Sequence, residues 1–434
     1  MSAPTNAARL FVASCISLVT TSMVFATRGA ITGPMAEQFH ISNAQIGLIY
    51  GPSFWGFTIA IFICGLLVDM VGMRLVHALS SVGYLLGLAL VLLAPRPELA
   101  SGATVDSIFA HSGTTMLFIG FLAMGLSQGL VEGVINPLVA TLYKDQKGKM
   151  LNVLHAWWPG GMIIGGLLCV ALGRFDAPWQ IKLGMLAIPA LAALVMALTS
   201  VYPQTERVQS NVSNAEMGRE VFRPLFLLLL CTMFMTASVE LGPDQWFGKV
   251  MGDISGWKAD GILFLCYTAG LMFVLRYFFG GVVHRFSPFA VLTVCSVLVG
   301  VGLFWLGSIP LPAPGQTAGA STVVMAFVAA TVFGIGKTYF WPTMLGITSE
   351  QFPRGGALLM NLMGGCGMLA SAVILPIMGS ALDKGGPGAA LRSVAGLAVA
   401  LFVIFGALLL YFRAKGGYKP VTLTAAPASP RKAG

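Results

Sequence analysis

Apolar residues in this chain come in runs of about twenty, separated by short polar connections, rather than in the three-to-four-residue spacing of a water-facing helix. Twelve such runs can be marked, approximately 9–30, 44–68, 75–94, 115–139, 150–173, 182–201, 224–243, 260–281, 288–308, 322–346, 357–381 and 389–412. Numbered in that order, these are spans 1 to 12. Each is long enough to cross the roughly 30 Å hydrocarbon layer as a helix. No water is available there to satisfy backbone groups, so helix is the expected form of all twelve. The expected fold class is an all-α membrane protein of twelve transmembrane helices.

The run from Leu10 to Thr27 is too long for a signal-peptide core and no convincing cleavage site follows, so it reads as span 1. The longest polar stretch, Tyr202–Arg223, falls between spans 6 and 7. It divides the chain into an expected six-helix bundle over 1–201, a linker over 202–223 and a second bundle over 224–415, leaving 416–434 as a low-complexity tail expected to be disordered.

Composition agrees with a membrane protein: 56% of the 434 residues are hydrophobic and 9% charged, against about 25% charged in soluble domains. The net charge of +9 is explained by topology rather than by nucleic acid. Fifteen Lys and Arg, among them Arg9, Arg74, Lys144, Lys147, Lys149, Arg219 and Arg413, fall on the side that would hold both termini, against seven, including Lys258, on the other. The positive-inside rule then places both termini in the cytoplasm. A bacterial inner membrane suits the compact loops. All seven cysteines lie inside spans without paired spacing, as packing residues would.

Two spans carry a charge in the same setting. A single step along the chain takes Gly129 to Gly334, Glu132 to Lys337 and Pro137 to Pro342. Ionisable groups are costly in hydrocarbon and mark ion or substrate paths, and transporters are commonly built from repeats with the site between them.

Span 4 sets Gln128, Glu132 and Asn136 on one helix face. A carboxylate there can bind and release a proton as its surroundings alternate between wet and dry, because leaving water favours the neutral form. It can equally be a structural partner of Arg28. His155, early in span 5, can relay a proton or hydrogen-bond a solute, or be a satisfied structural group. Lys337 can pair with Glu240 or Asp244, and Glu240, on a face with Thr232 and Thr236, is the better candidate. Arg28 can neutralise Glu132 or clamp a substrate carboxylate or phosphate. Arg276, near the end of span 8, reads as a snorkelling side chain. Trp157, Trp158, Trp246 and Trp341 can be interfacial, but Trp341 sits deep in its span, one turn beyond Lys337.

The connection after span 2, Gly65-Leu-Leu-Val-Asp69-Met-Val-Gly72-Met-Arg74, resembles the loop motif of the major facilitator superfamily, with a weaker copy at Gly280–Arg285 that includes His284. The resemblance implies two pseudo-symmetric six-helix bundles alternating around a central cavity, with Asp69 and Arg74 coupling helix ends. Within that superfamily, Glu132-Gly-Val-Ile-Asn136-Pro137 and Glu240-Leu-Gly-Pro-Asp-Gln245-Trp246 resemble the fucose–galactose–glucose/proton symporter family. That likeness implies sugar binding and proton coupling at Glu132. Span 1 departs from that family, with Arg28 where an acidic element is characteristic; a cation there suits anion-transporting branches instead.

The resulting expectation is uptake of a small polar solute, a hexose-type sugar, by proton symport. Glu132 and His155 would carry the proton, and Gln128, Asn136, Asn152, Trp158, Gln245 and Trp341 would contact the solute. Arg28, Asp69, Arg74, Glu240, Asp244 and Lys337 would form charge pairs that break and re-form between states. An anionic solute such as a sugar acid, held by Arg28 and Lys337, is the alternative, and a non-transporting sensor on the same fold is a further one. No metal cluster, ATP motif or nucleophile–base pair is seen. The expectation is therefore a protein that is not an enzyme, needs no cofactor beyond a proton gradient, does not bind nucleic acid, sits in a lipid bilayer and works as a monomer.

Overall fold

The computed structural model describes residues 6–99, 104–205, 208, 213–257, 261–283, 285–313 and 316–422. Among them every regular element is helical. Eleven helices are long and apolar enough to cross a membrane: Ala7–Phe39, Gln45–Val71, Met73–Leu92, Ser112–Leu142, Lys144–Gly173, Trp179–Leu198, Pro224–Ser255, Pro288–Leu306, Ala320–Gln351, Pro353–Leu382 and Lys384–Ala414. Span 8 is the helix Ile262–Val283, whose apolar part, Ile262–Phe278, is shorter. These helices match the twelve spans one for one.

Several ends differ from expectation, and each has a local cause. Span 1 runs on to Phe39 and span 7 to Ser255, well past their apolar cores, because Pro34 and Pro243 sit inside the helices rather than ending them. Both helices stop where the backbone turns left-handed, at His40 (φ 52°) and Gly256 (φ 75°). Spans 11 and 12 are joined almost without a loop, the chain turning at Gly386, whose φ of 71° suits glycine.

The helix contacts repeat between halves. Span 1 packs on span 5 and span 4 on spans 2 and 3; correspondingly span 7 packs on span 11 and span 10 on spans 8 and 9. Spans 2 and 11 and spans 5 and 8 join the halves. An even number of crossings brings both termini to one end, the termini end below. There, Asp69 accepts a hydrogen bond from Thr205 at 2.7 Å and Arg74 donates to the Leu198 carbonyl. The motif thus fastens the span 2–3 turn to the end of span 6 and the start of the linker. Part of the linker is helical, Asn214–Glu220, with a capping box between Ser213 and Glu216.

The tail, expected to be disordered from Gly416, is fastened in its first residues: Tyr418 donates to Glu350 at 2.8 Å and the Val421 amide to the Glu350 carbonyl at 2.8 Å. Residues 423–434, His284 of the weaker loop motif and Lys258 of the charge count lie outside the described residues.

Close helix contact depends on glycine at the span 2–span 4 crossing. A Cβ at Gly129 would lie 2.3 Å from the Phe57 carbonyl oxygen, and one at Gly125 would lie 2.5 Å from the Ser53 Cα. Backbone cannot yield as a side chain can. Gly129→Ala is therefore expected to destabilise by about 1–3 kcal/mol, the usual effect of overpacking. The readout is a lowered thermal unfolding midpoint in detergent; an unchanged midpoint would mean the helices can part at little cost.

Candidate functional site

The charged spans converge midway along the bundle. Glu132 lies on the helix Ser112–Leu142 and is only 2% exposed. One turn on, Asn136 donates its amide to Glu132 Oε2 at 3.3 Å, and its Oδ1 lies 2.9 Å from His155 Nε2 on span 5. With the amide nitrogen committed to the carboxylate, the Asn136 oxygen is the acceptor, which assigns the donating hydrogen to His155 Nε2. Glu132, Asn136 and His155 thus form a continuous hydrogen-bonded row.

This row borders a cavity of about 20 Å³ shared by the two halves. Glu132, His155 and Trp158 line it from the first, and Glu240, Leu241, Arg276, Trp341 and Met368 from the second. That volume holds one water molecule and no sugar, so the bundles must part to admit a solute.

Arg276 is the residue that sequence reasoning placed wrongly. It does not snorkel: it is 1% exposed and reaches inward. Nη2 pairs with Glu240 Oε1 at 3.1 Å, Nη1 donates to the His155 carbonyl at 3.0 Å and Nε donates to the Thr338 carbonyl. Because Arg276 holds Glu240, the expected preference of Lys337 for Glu240 is also corrected: Lys337 pairs with Asp244. The helix of span 7 continues through Pro243, so Asp244 follows Glu240 by one turn and stays buried instead of leaving with a loop. Lys337 Nζ also lies 5.0 Å from the centre of the Phe333 ring.

Glu240 Oε2 and Trp341 Nε1 are buried without a hydrogen-bond partner. Both residues line the cavity, which therefore offers one unused acceptor and one unused donor.

The remaining candidates lie elsewhere. Gln128 is buried with its amide nitrogen unpartnered, but does not line the cavity. Asn152 donates to the Gly148 carbonyl of its own helix at 3.1 Å. Gln245 is exposed. Arg28 forms no ion pair with Glu132 among the described residues. Its guanidinium sits among four rings, Phe25, Tyr50, Phe54 and Phe121, at 5.2–5.7 Å from their centres, with Nε and Nη2 unpartnered.

Comparisons with known proteins agree with this architecture. The family model described as Major Facilitator Superfamily matches residues 10–317. Protein TsgA of Salmonella dublin is 21% identical over 433 residues, covering 96% of this chain and 99% of the relative. Among solved structures, FucP, a Major Facilitator Superfamily transporter in its outward conformation, superposes with a TM-score of 0.70 at 15% identity, covering 92% of this chain and 98% of that one. The proton:xylose symporter XylE, bound to 6-bromo-6-deoxy-D-glucose, superposes with a TM-score of 0.73 at 13% identity, covering 92% and 95%. At these identities the two structures show the fold.

The Arg276–Glu240 pair makes a stability prediction. Removing one partner of a buried pair leaves an uncompensated charge and costs about 3–5 kcal/mol, whereas an apolar replacement of both is far milder. Arg276→Met alone should lower the thermal unfolding midpoint sharply, and Arg276→Met with Glu240→Met should recover part of the loss. A single variant as stable as wild type would show that the pair adds nothing.

Proposed function

Because this chain belongs to the Major Facilitator Superfamily, a family of integral, multi-pass membrane transporters, we propose that it takes up a small neutral polar solute of the hexose type by proton symport. One observation carries this reading. Three carboxylates and two cations converge midway along the bundle; the two cations hold Glu240 and Asp244, and Glu132 is left with only neutral hydrogen-bond partners. Protonating Glu132 brings that set to electrical neutrality. The carboxylate can then stay in a closed, dry site, and it ionises when the site opens to water.

The same pairing favours a neutral solute over an anion. Arg276 and Lys337 are already engaged, so neither is free to receive a carboxylate. The unused acceptor of Glu240 and donor of Trp341 suit hydroxyl groups, and the indoles of Trp158 and Trp341 offer flat faces for sugar C–H surfaces. The fold likeness to the proton:xylose symporter XylE supports the class. The likeness to bacterial relatives such as TsgA supports an inner-membrane location, and the basic residues at the termini end support cytoplasmic termini.

The cycle is then a two-state one. With the cavity open to the outside, Glu132 takes a proton and the solute enters. The neutral, filled site permits closure, and opening to the other side releases solute and proton. Arg28 holds the second reading, a sugar acid, because its Nε and Nη2 are buried and unpartnered.

The test is uptake into proteoliposomes with an imposed pH gradient, using neutral hexoses, xylose and hexuronates. Wild type should accumulate a neutral sugar. Glu132→Gln should bring accumulation down to the level seen without a gradient while sugar-for-sugar exchange persists. Accumulation of acidic sugars alone would move the centre of the site to Arg28, and transport of neither class by folded protein would sink the sugar assignment.

A further inference from the structure

Two helix-interior prolines, in spans 4 and 5, each remove the amide hydrogen that would have bonded the carbonyl four residues earlier. Pro137 frees the Gly133 carbonyl in span 4 and Pro159 frees that of His155 in span 5, while in span 10 the Thr338 carbonyl is left free where the helix breaks between Lys337 and Phe340. A carbonyl without a donor is costly in a dry interior, and all three have found side-chain donors. Asn361 of span 11 donates to Gly133 at 3.2 Å, and Arg276 of span 8 donates to both His155, at 3.0 Å, and Thr338. Two of these bonds, those to Gly133 and His155, cross from one six-helix half to the other.

We infer that these proline-freed carbonyls are latch points: the first half presents backbone acceptors at Gly133 and His155, and Asn361 and Arg276 of the second half close on them to hold the bundles together. The inference requires only that the two halves move apart, and it stands whatever the solute and whether or not a proton is carried. Arg276 ties its latch to the solute cavity through Glu240, whereas Asn361 acts outside the cavity, towards the termini end.

The surroundings of Asn361 fit a latch better than packing. The residue is fully buried, its amide nitrogen has the one bond to Gly133 and its Oδ1 has no partner. Burying an amide for a single bond is unfavourable compared with an apolar side chain of the same size. The approach is made possible by glycine on the first half. Asn361 Cβ would lie 3.1 Å from a Cβ at Gly65, and its Nδ2 would lie 3.3 Å from one at Gly133. In the same place, Cys64 Sγ lies against Gly133 and is shielded, at 2% exposure. Cys64 is thus a native reporter of whether this latch is closed.

The experiment is mass-mapped alkylation of the reconstituted full chain by N-ethylmaleimide, with Cys64 labelling normalised to the level reached after denaturation in SDS. Asn361→Leu keeps the branched shape of the side chain and removes the donor. Pro137→Ala restores the helix's own amide donor to Gly133 and so dispenses with Asn361. Each should raise Cys64 labelling about five-fold, the factor set by one net hydrogen bond, and the double variant should label no faster than either single one. Unchanged Cys64 labelling in Asn361→Leu, or effects that multiply in the double variant, would overturn the latch. Should Asn361→Leu also expose the buried Cys295, it has unfolded. Pro137→Ala, which adds a helix bond, then decides alone by the same five-fold criterion.

Discussion

In a dry interior an unpartnered polar group is costly, and the requirement to pair most of them shapes the molecule at every scale. It makes the twelve apolar runs helices, since helix satisfies each run's backbone internally. It also gives the helix-interior prolines their consequence. Where Pro137 and Pro159 break the internal pattern, and where the helix of span 10 breaks at Thr338, Asn361 and Arg276 supply what is missing from neighbouring helices. The backbone defects of span 4 and span 5 are repaired only when the two halves are together, so helix chemistry and bundle closure become one equilibrium.

The same requirement sorts the charges. Arg276 and Lys337 each meet a carboxylate from consecutive turns of span 7, Glu240 and Asp244, while Glu132 across the cavity meets Asn136 and, through it, His155. A buried pair is a poor source of net stability, because desolvation offsets much of the attraction. Its effect here is selective: with both cations held, the carboxylate left over is the group whose charge must change if the closed site is to be neutral. Arg28 is accommodated differently, its cation lying among aromatic faces rather than beside a carboxylate and two of its nitrogens left without a hydrogen bond.

Much of this was legible in the chain. Hydrophobic run length gave the twelve spans. The repeated setting of Glu132 and Lys337 drew attention to spans 4 and 10, and in the structure Glu132, His155, Trp158, Glu240 and Trp341, all candidates on sequence grounds, line one cavity. Arg276 was misread because distance from a helix end does not say which way a side chain points. The assignment of Lys337 to Glu240 failed because span 7 was ended at residue 243, whereas Pro243 lies within a helix that runs to Ser255 and keeps Asp244 buried. A signal for both lies in the sequence: a proline inside an apolar span marks a carbonyl four residues earlier that needs a donor, and in a membrane the strongest donors are the few buried cations. Gln128, Asn152 and Gln245 share helices with the site yet miss the cavity, because shared periodicity fixes a face and not the depth at which neighbouring helices part.

The size of the cavity connects these points. At about 20 Å³ the space is far below that of a sugar, so this arrangement of the two halves cannot itself be the solute-loaded one. Expanding it requires the walls contributed by Glu132, His155 and Trp158 to separate from those of Glu240, Arg276 and Trp341, and the hydrogen bond from Arg276 to the His155 carbonyl crosses that divide. A solute that offers an acceptor to Arg276, or a donor to Glu240 Oε2, therefore competes with the closed state for the same atoms. Its binding energy is available to shift the equilibrium between states only to the extent that it prefers the open one. A neutral polyol can supply both kinds of contact without adding charge to a site where Glu132 already carries the only uncompensated one.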